Sequence, residues 1–205
     1  MTRRPDTLKE TPSQTAGPYV HIGCTPNFLG NTGIYPEDLG ARMVNDRTRG
    51  ERITITGTVW DGTGTALRDA LVEIWQADAD GLYPSPEETR GTADPDFAGF
   101  GRSGCDWETG AFTFATVKPG RVPYPDGRLQ APHVTVWIAA RGINTGLHTR
   151  MYFADEADAN AEDPVLARIE HRNRVPSLLA QPEGNGVYRF DIRLQGDHET
   201  VFFDM

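Results

Sequence analysis

Ile53-Thr54-Ile55-Thr56-Gly57-Thr58-Val59-Trp60 alternates apolar and small polar side chains. That is the period of a strand with one face on a core. Asp61-Gly62-Thr63-Gly64 then supplies turn residues. The same alternation recurs in Ala70–Ala77, Phe112–Val117, His133–Ala140, Leu147–Phe153 and Val187–Leu194, with Val201–Phe203 as a candidate edge strand. The β-branched residues and Trp137 of the His133–Ala140 run predict a central position. One helix is predicted in the Ala- and acid-rich stretch from Asp155 to Asn160, with a second turn opened by Pro164 and running through Ile169. Many short strands with regular turn signals predict an all-β chain, a β-sandwich of mixed sheets with one or two short helices.

Composition agrees. The 205 residues include 22 glycines and 15 prolines, too many breakers for a helical bundle and enough length for one domain over 1–205. Residues 1–35 carry seven of these breakers from Pro12 to Gly33, together with Tyr19, Val20, Ile22, Phe28 and Tyr35. They read as an extended N-terminal arm with turns, whose apolar groups give it something to anchor with. The net charge of −9 disfavours nucleic acid and anionic membrane as partners. No apolar stretch is long enough to span a bilayer. Met1–Glu10 is polar with no apolar leader core, so a cytoplasmic location is expected. Cys24 and Cys105 are too few for a disulfide framework and are expected as free thiols.

The chain has no Gly-x-Ser-x-Gly elbow, no phosphate-cradling Gly-Lys-Ser/Thr loop and no Cys-x-x-Cys pair. His171 and His198 lie in polar surroundings, which predicts a surface role, and His21 has no partner at metal-ligand spacing. Tyr83, Tyr124 and His133 sit at strand ends or in loops, and phenolate and imidazole donors suit a hard ferric ion. The set is incomplete. A histidine two residues after His133 would share its sheet face, but that position holds Thr135, a poor ligand.

Several strings carry a resemblance. They are Thr11-Pro12-Ser13-Gln14-Thr15-Ala16-Gly17-Pro18-Tyr19, Glu73-Ile74-Trp75-Gln76-Ala77-Asp78, Thr116-Val117-Lys118-Pro119-Gly120 and Ala131-Pro132-His133. With Ala140-Arg141-Gly142-Ile143-Asn144, Leu147–Arg150, Arg189–Gly196 and Glu199–Phe203 they run over nearly the whole chain. In this order they resemble the intradiol ring-cleavage dioxygenases, and within that family the α chain of the two-chain members that act on protocatechuate. The family's catalytic chain holds one non-haem Fe(III) through two tyrosines and a His-x-His pair. The resemblance puts Tyr83 at the first tyrosine and His133 at the first histidine, with Tyr124 at the second tyrosine across a shortened segment. Thr135 replaces the second histidine, and Gln130 replaces an arginine beside the metal. This implies a chain with no metal and no catalytic residue of its own, paired in a hetero-oligomer with a β subunit that holds the Fe(III).

By the same resemblance Thr15, Gly17, Pro18 and Arg141 line the substrate pocket of that complex. Protocatechuate and O2 are its substrates and 3-carboxy-cis,cis-muconate its product, in aromatic catabolism. Glycine and proline suit close backbone approach to a flat ring, and an arginine suits a carboxylate. Two other readings stand beside this one. The first is a self-sufficient dioxygenase using Tyr83, Tyr124, His133 and a fourth donor, for which His148 is the remaining candidate near a strand. The second is a non-catalytic β-sandwich binding module.

Overall fold

The computed structural model describes residues 14–144 and 146–204. Thr11–Ser13 of the first string and the polar start at Met1–Glu10 lie outside them. Nine strands form: β1 (Arg52–Trp60), β2 (Leu71–Trp75), β3 (Phe100–Gly104), β4 (Ala111–Val117), β5 (His133–Ala139), β6 (Leu147–Phe153), β7 (Leu179–Gly184), β8 (Val187–Arg189) and β9 (Ile192–Arg193). They join in one path, β3-β2-β5-β6-β7-β8-β1-β4, with β9 paired to β1. Pairing is mixed: β6–β7, β1–β8 and β1–β9 run parallel, and the other pairs run antiparallel. The two ends of the path, β3 and β4, pack together. The sheet is therefore nearly closed round its core.

Alternation sets which faces meet. Ile53 and Ile55 of β1, Phe112 and Phe114 of β4, Val72 and Ile74 of β2, and Val134, Val136 and Ile138 of β5 share one buried cluster. β5 is central, flanked by β2 and β6, as its composition predicts. Gly57 interrupts the apolar pattern of β1 for a steric reason. A Cβ there would stand 1.8 Å from the Phe190 carbonyl oxygen, so only glycine lets that backbone approach.

A smaller cluster of Ala131, Tyr152, Leu166 and Leu178 lies on the outer side of β6. It is covered by two 3-10 turns, Leu166–Arg168 and Arg172–Leu178. The buried Asp163 carboxylate fastens this cover, accepting from the backbone N–H of Ala131, Val165 and Leu166 at 2.8 Å each.

Three expectations change in detail. The arm is extended only in part, because Pro18–Cys24 form a helix, α1. Pro18 sits in its first turn after an extended Gly17, where a missing N–H costs nothing. The predicted acid-rich helix forms at Ala157–Glu162, α2. Val201–Phe203 makes one isolated bridge, Phe203 to His148, in place of a strand. No helix among the described residues is long and apolar enough to cross a membrane.

Candidate functional site

His133 opens β5 and is buried, with Thr135 two residues on along the same face. The antiparallel register of β5 with β6 sets the neighbours across that face: Tyr152 opposite His133, Arg150 opposite Thr135 and His148 opposite Trp137. On the other side Trp75 of β2 stands opposite Thr135, and Tyr83 stacks on Trp75 with ring centroids 5.9 Å apart. Gln130 donates to the Pro123 carbonyl at 3.3 Å and accepts from the Arg150 guanidinium at 2.8 Å.

The three candidate donors do not share one cavity. Tyr83 shares a cleft of about 420 Å³ with Gln130 and Arg90. Tyr124 shares a second cleft with Arg150, and its hydroxyl accepts a hydrogen bond from Arg168. His133 lies beneath, its Nδ1 2.8 Å from the Ala131 carbonyl oxygen. Burial, helped by the Arg150 charge, lowers its pKa to about 4, so the ring is neutral at physiological pH. Burial raises the Tyr83 hydroxyl above its ordinary value, against the opposing pull of Arg150 and Arg90. The Tyr83 phenol is kept protonated by its burial and Tyr124 lines a different cleft, so the phenolate donors that a ferric ion needs are not gathered in one place.

His148 cannot complete the set. It lies four rungs of the ladder from His133, four residues along β6 from Tyr152, or about 13 Å at strand rise. His171 and His198 are exposed, as their surroundings predict. His21 is buried and its Nε2 lies 2.9 Å from the Asp69 carbonyl oxygen.

The predicted substrate-lining residues come together elsewhere. Thr15 bridges to Asn144, accepts from the Gly142 N–H at 2.9 Å and donates to the Ala140 carbonyl at 3.4 Å. Gly17 and Pro18 lead into α1, which docks through His21 on Asp69. The Asp69 carboxylate in turn accepts from Arg141 Nε. The Arg141 side chain is 73% exposed and that of Asp69 19%. This cluster follows Ala139, the far end of β5 from His133, about 20 Å away.

Two participants escape a reading of the motifs. Asp69, which holds Arg141, lies in a loop with no distinguishing pattern. Arg150 is readable once His133–Ala140 and Leu147–Phe153 are paired as an antiparallel hairpin, which puts it on the same rung as Thr135.

Comparison with known proteins places this geometry. A protein at 46% identity is the protocatechuate 3,4-dioxygenase alpha chain of Pseudomonas putida, matched over 96% of this chain and 97% of that one. The protocatechuate 3,4-dioxygenase beta chain of Burkholderia cepacia is 34% identical over 82% of this chain and 75% of its own length. Among solved structures, the dioxygenase domain of a dioxygenase–carbohydrate-binding fusion from Streptomyces sp. SirexAA-E superposes with a TM-score of 0.52 at 25% identity. That match covers 94% of this chain and all of that one. The family model described as Dioxygenase matches residues 24–196, a span that contains all nine strands and the His133 face, and the chain belongs to that family.

Proposed function

We propose that this chain is the α subunit of a protocatechuate 3,4-dioxygenase, one domain over residues 1–205 that works in the cytoplasm beside an iron-bearing β subunit. The assembled pair cleaves protocatechuate with O2 to 3-carboxy-cis,cis-muconate, both oxygen atoms entering the product, as a step of aromatic catabolism. The Fe(III) of the β subunit supplies the activation of catechol and oxygen. The observation that carries the reading is the near full-length likeness to an α chain at 46% identity.

The geometry supports the division of labour. Tyr83 and Tyr124 line different clefts and His133 is turned to the Ala131 carbonyl, so no metal step is assigned to them. The Thr15–Arg141 cluster stands about 20 Å from that pocket, so a site it serves belongs to another chain. There Thr15, Gly17 and Pro18 shape one wall for a flat ring, and Arg141 orients the substrate carboxylate. Tyr19, Ile22, Phe28, Ile34, Tyr35 and Leu39 are large exposed apolar residues within 21 positions, Tyr19 at 85% exposure. Such a concentration suits a protein partner. We read the strand path as a sandwich of two mixed layers joined through β7.

The test is co-expression with a β partner carrying two tyrosines and a His-x-His pair. The complex should contain iron, show tyrosinate-to-iron absorption and take up oxygen with protocatechuate, while the chain alone does none of these. Stoichiometric iron and activity in the lone chain would favour the self-sufficient reading. A colourless, inactive complex supplied with iron would favour a non-catalytic module.

A further inference from the structure

The second cleft has a volume of about 440 Å³, within the range of small-molecule sites. Arg150, Arg168 and Arg174 all reach it, against a single lining carboxylate, Glu170. Arg174 is already paired with Glu199 at 2.8 Å. Arg168 has only the Tyr124 hydroxyl and the face of its ring, 5.1 Å from the centroid. Arg150 donates to Gln130 at 2.8 Å and to the Tyr152 hydroxyl at 3.4 Å, both neutral. Among the described residues neither Arg150 nor Arg168 makes an ion pair. The neighbouring cleft at Tyr83 is different, because there Arg90 is held by Glu88, whose pKa falls to about 2.

Arg150 is half-buried with no acid in ion-pair reach, an unusual expense of desolvation, while Arg168 is exposed and has only the more distant charge of Asp126. The two guanidinia, one at the half-buried and one at the exposed side of the cleft, make a receptor for a carboxylate, which the planar fork binds bidentately. The rest of the lining selects what the carboxylate is attached to. Val165, Ile169, Val201 and Phe203 form an apolar wall, and the phenol of Tyr124 offers a ring face. Inorganic anions gain nothing from that wall, and metal ions are repelled by the arginines.

We propose that this cleft binds a small aromatic carboxylate, at a site separate from the Thr15–Arg141 cluster and in no need of a metal. The inference rests on the cleft's own charges and holds whether or not the chain is a dioxygenase subunit.

The probe is 4-fluorobenzoate, measured by equilibrium dialysis and fluorine NMR on the full chain assembled with its partner. One saturable equivalent per chain is expected beyond whatever the partner's site takes. Arg168→Gln, at an exposed position, should weaken this equivalent roughly tenfold without changing the melting temperature or turnover. Arg150→Gln should weaken it by a similar factor, and Arg168→Glu should abolish it. Inorganic phosphate should compete poorly. The proposal is overturned if no extra equivalent is found, if all three variants bind like the wild type, or if phosphate competes as well as the aromatic acid.

Discussion

Replacing Arg141 by alanine tests the substrate role of the arm cluster. In the free chain Arg141 donates to Asp69 while 73% exposed, so their pairing is worth about 0.2–1 kcal/mol. In a dehydrated pocket the same guanidinium facing a substrate carboxylate forms a charge-assisted hydrogen bond worth about 1.5–3 kcal/mol. Asp69 remains beside it and neutralises part of that charge. The net loss expected from Arg141→Ala is about 1–2 kcal/mol, or roughly 5- to 30-fold in kcat/KM for protocatechuate. Because the carboxylate lies away from the reacting carbons, the loss should fall mainly on KM. Catechol, which lacks the carboxylate, should change by less than about twofold.

Asp69→Asn has the opposite sign. It removes the competing anion and keeps the backbone carbonyl on which His21 rests, so protocatechuate should bind more tightly, by up to about fivefold. Steady-state oxygen uptake with both substrates, on wild type, the two single variants and the double variant, separates these terms. An unchanged protocatechuate-to-catechol ratio in Arg141→Ala would refute the reasoning.

Thr135→His alone should bind no ferric ion. Arg150 stands on the same rung and is held by Gln130, and Tyr83 and Tyr124 line different clefts, so a second histidine does not by itself gather a full donor set on one ion. Thr135→His with Arg150→Leu should bind measurably more iron, read by a colorimetric chelator; stoichiometric iron in the single variant sinks the argument. His133 has a folded pKa of about 4, below its unfolded value. Its contribution is thus complete above pH about 6.5 and lost as pH falls towards 4. Denaturant titrations should find about 2 kcal/mol lost by pH 5 on this account, and His133→Gln should flatten that slope. Cys105 is buried and its thiol is pushed up to about 12 by that burial. A thiol reagent should therefore modify Cys24 in the native chain and Cys105 only on unfolding, and two fast equivalents would contradict this. Gly57→Ala drives a Cβ into the Phe190 carbonyl and should cost about 3 kcal/mol or more, a fall of roughly 6–12 °C in Tm. A Tm within a degree or two of wild type would mean the two backbones separate freely.

What the sequence makes legible depends on the range of each interaction. Period-two alternation is local, and it locates β1, β4, β5 and β6 to within a residue. It also places Thr135 on the face of His133 before any coordinates are known. β3 hides because Phe100-Gly101-Arg102-Ser103-Gly104 has no alternation. Its glycines answer to distant neighbours, since a Cβ on Gly101 would stand 2.6 Å from the Met43 sulfur. β7 hides because Pro182 lies within it, a residue that argues against a strand. Helix α1 hides in a segment whose glycines and prolines describe turns equally well. Nothing local predicts that Thr15 meets Asn144, or that Asp69 meets Arg141, 72 positions apart.

On the proposed function, the two ends of β5 explain how one scaffold can lose a metal pocket and keep a part in catalysis. On that reading, losing the metal at the His133 end needs only the removal of a donor. Thr135 stands at the place of that donor, and beside it Arg150 is held by its hydrogen bond to Gln130. The strand itself is untouched, because Val134, Val136 and Ile138 pack on the opposite face. At the other end the Ala140–Asn144 turn is held by Thr15, and the helix that follows rests on Asp69 through His21. Those contacts need the core side of β5 and none of the residues around Arg150. Changes at the two ends should therefore be energetically independent, since about 20 Å and a rigid sheet separate them. Loss of the metal then leaves the arm's geometry intact, and the arm can serve a site built around another chain's metal.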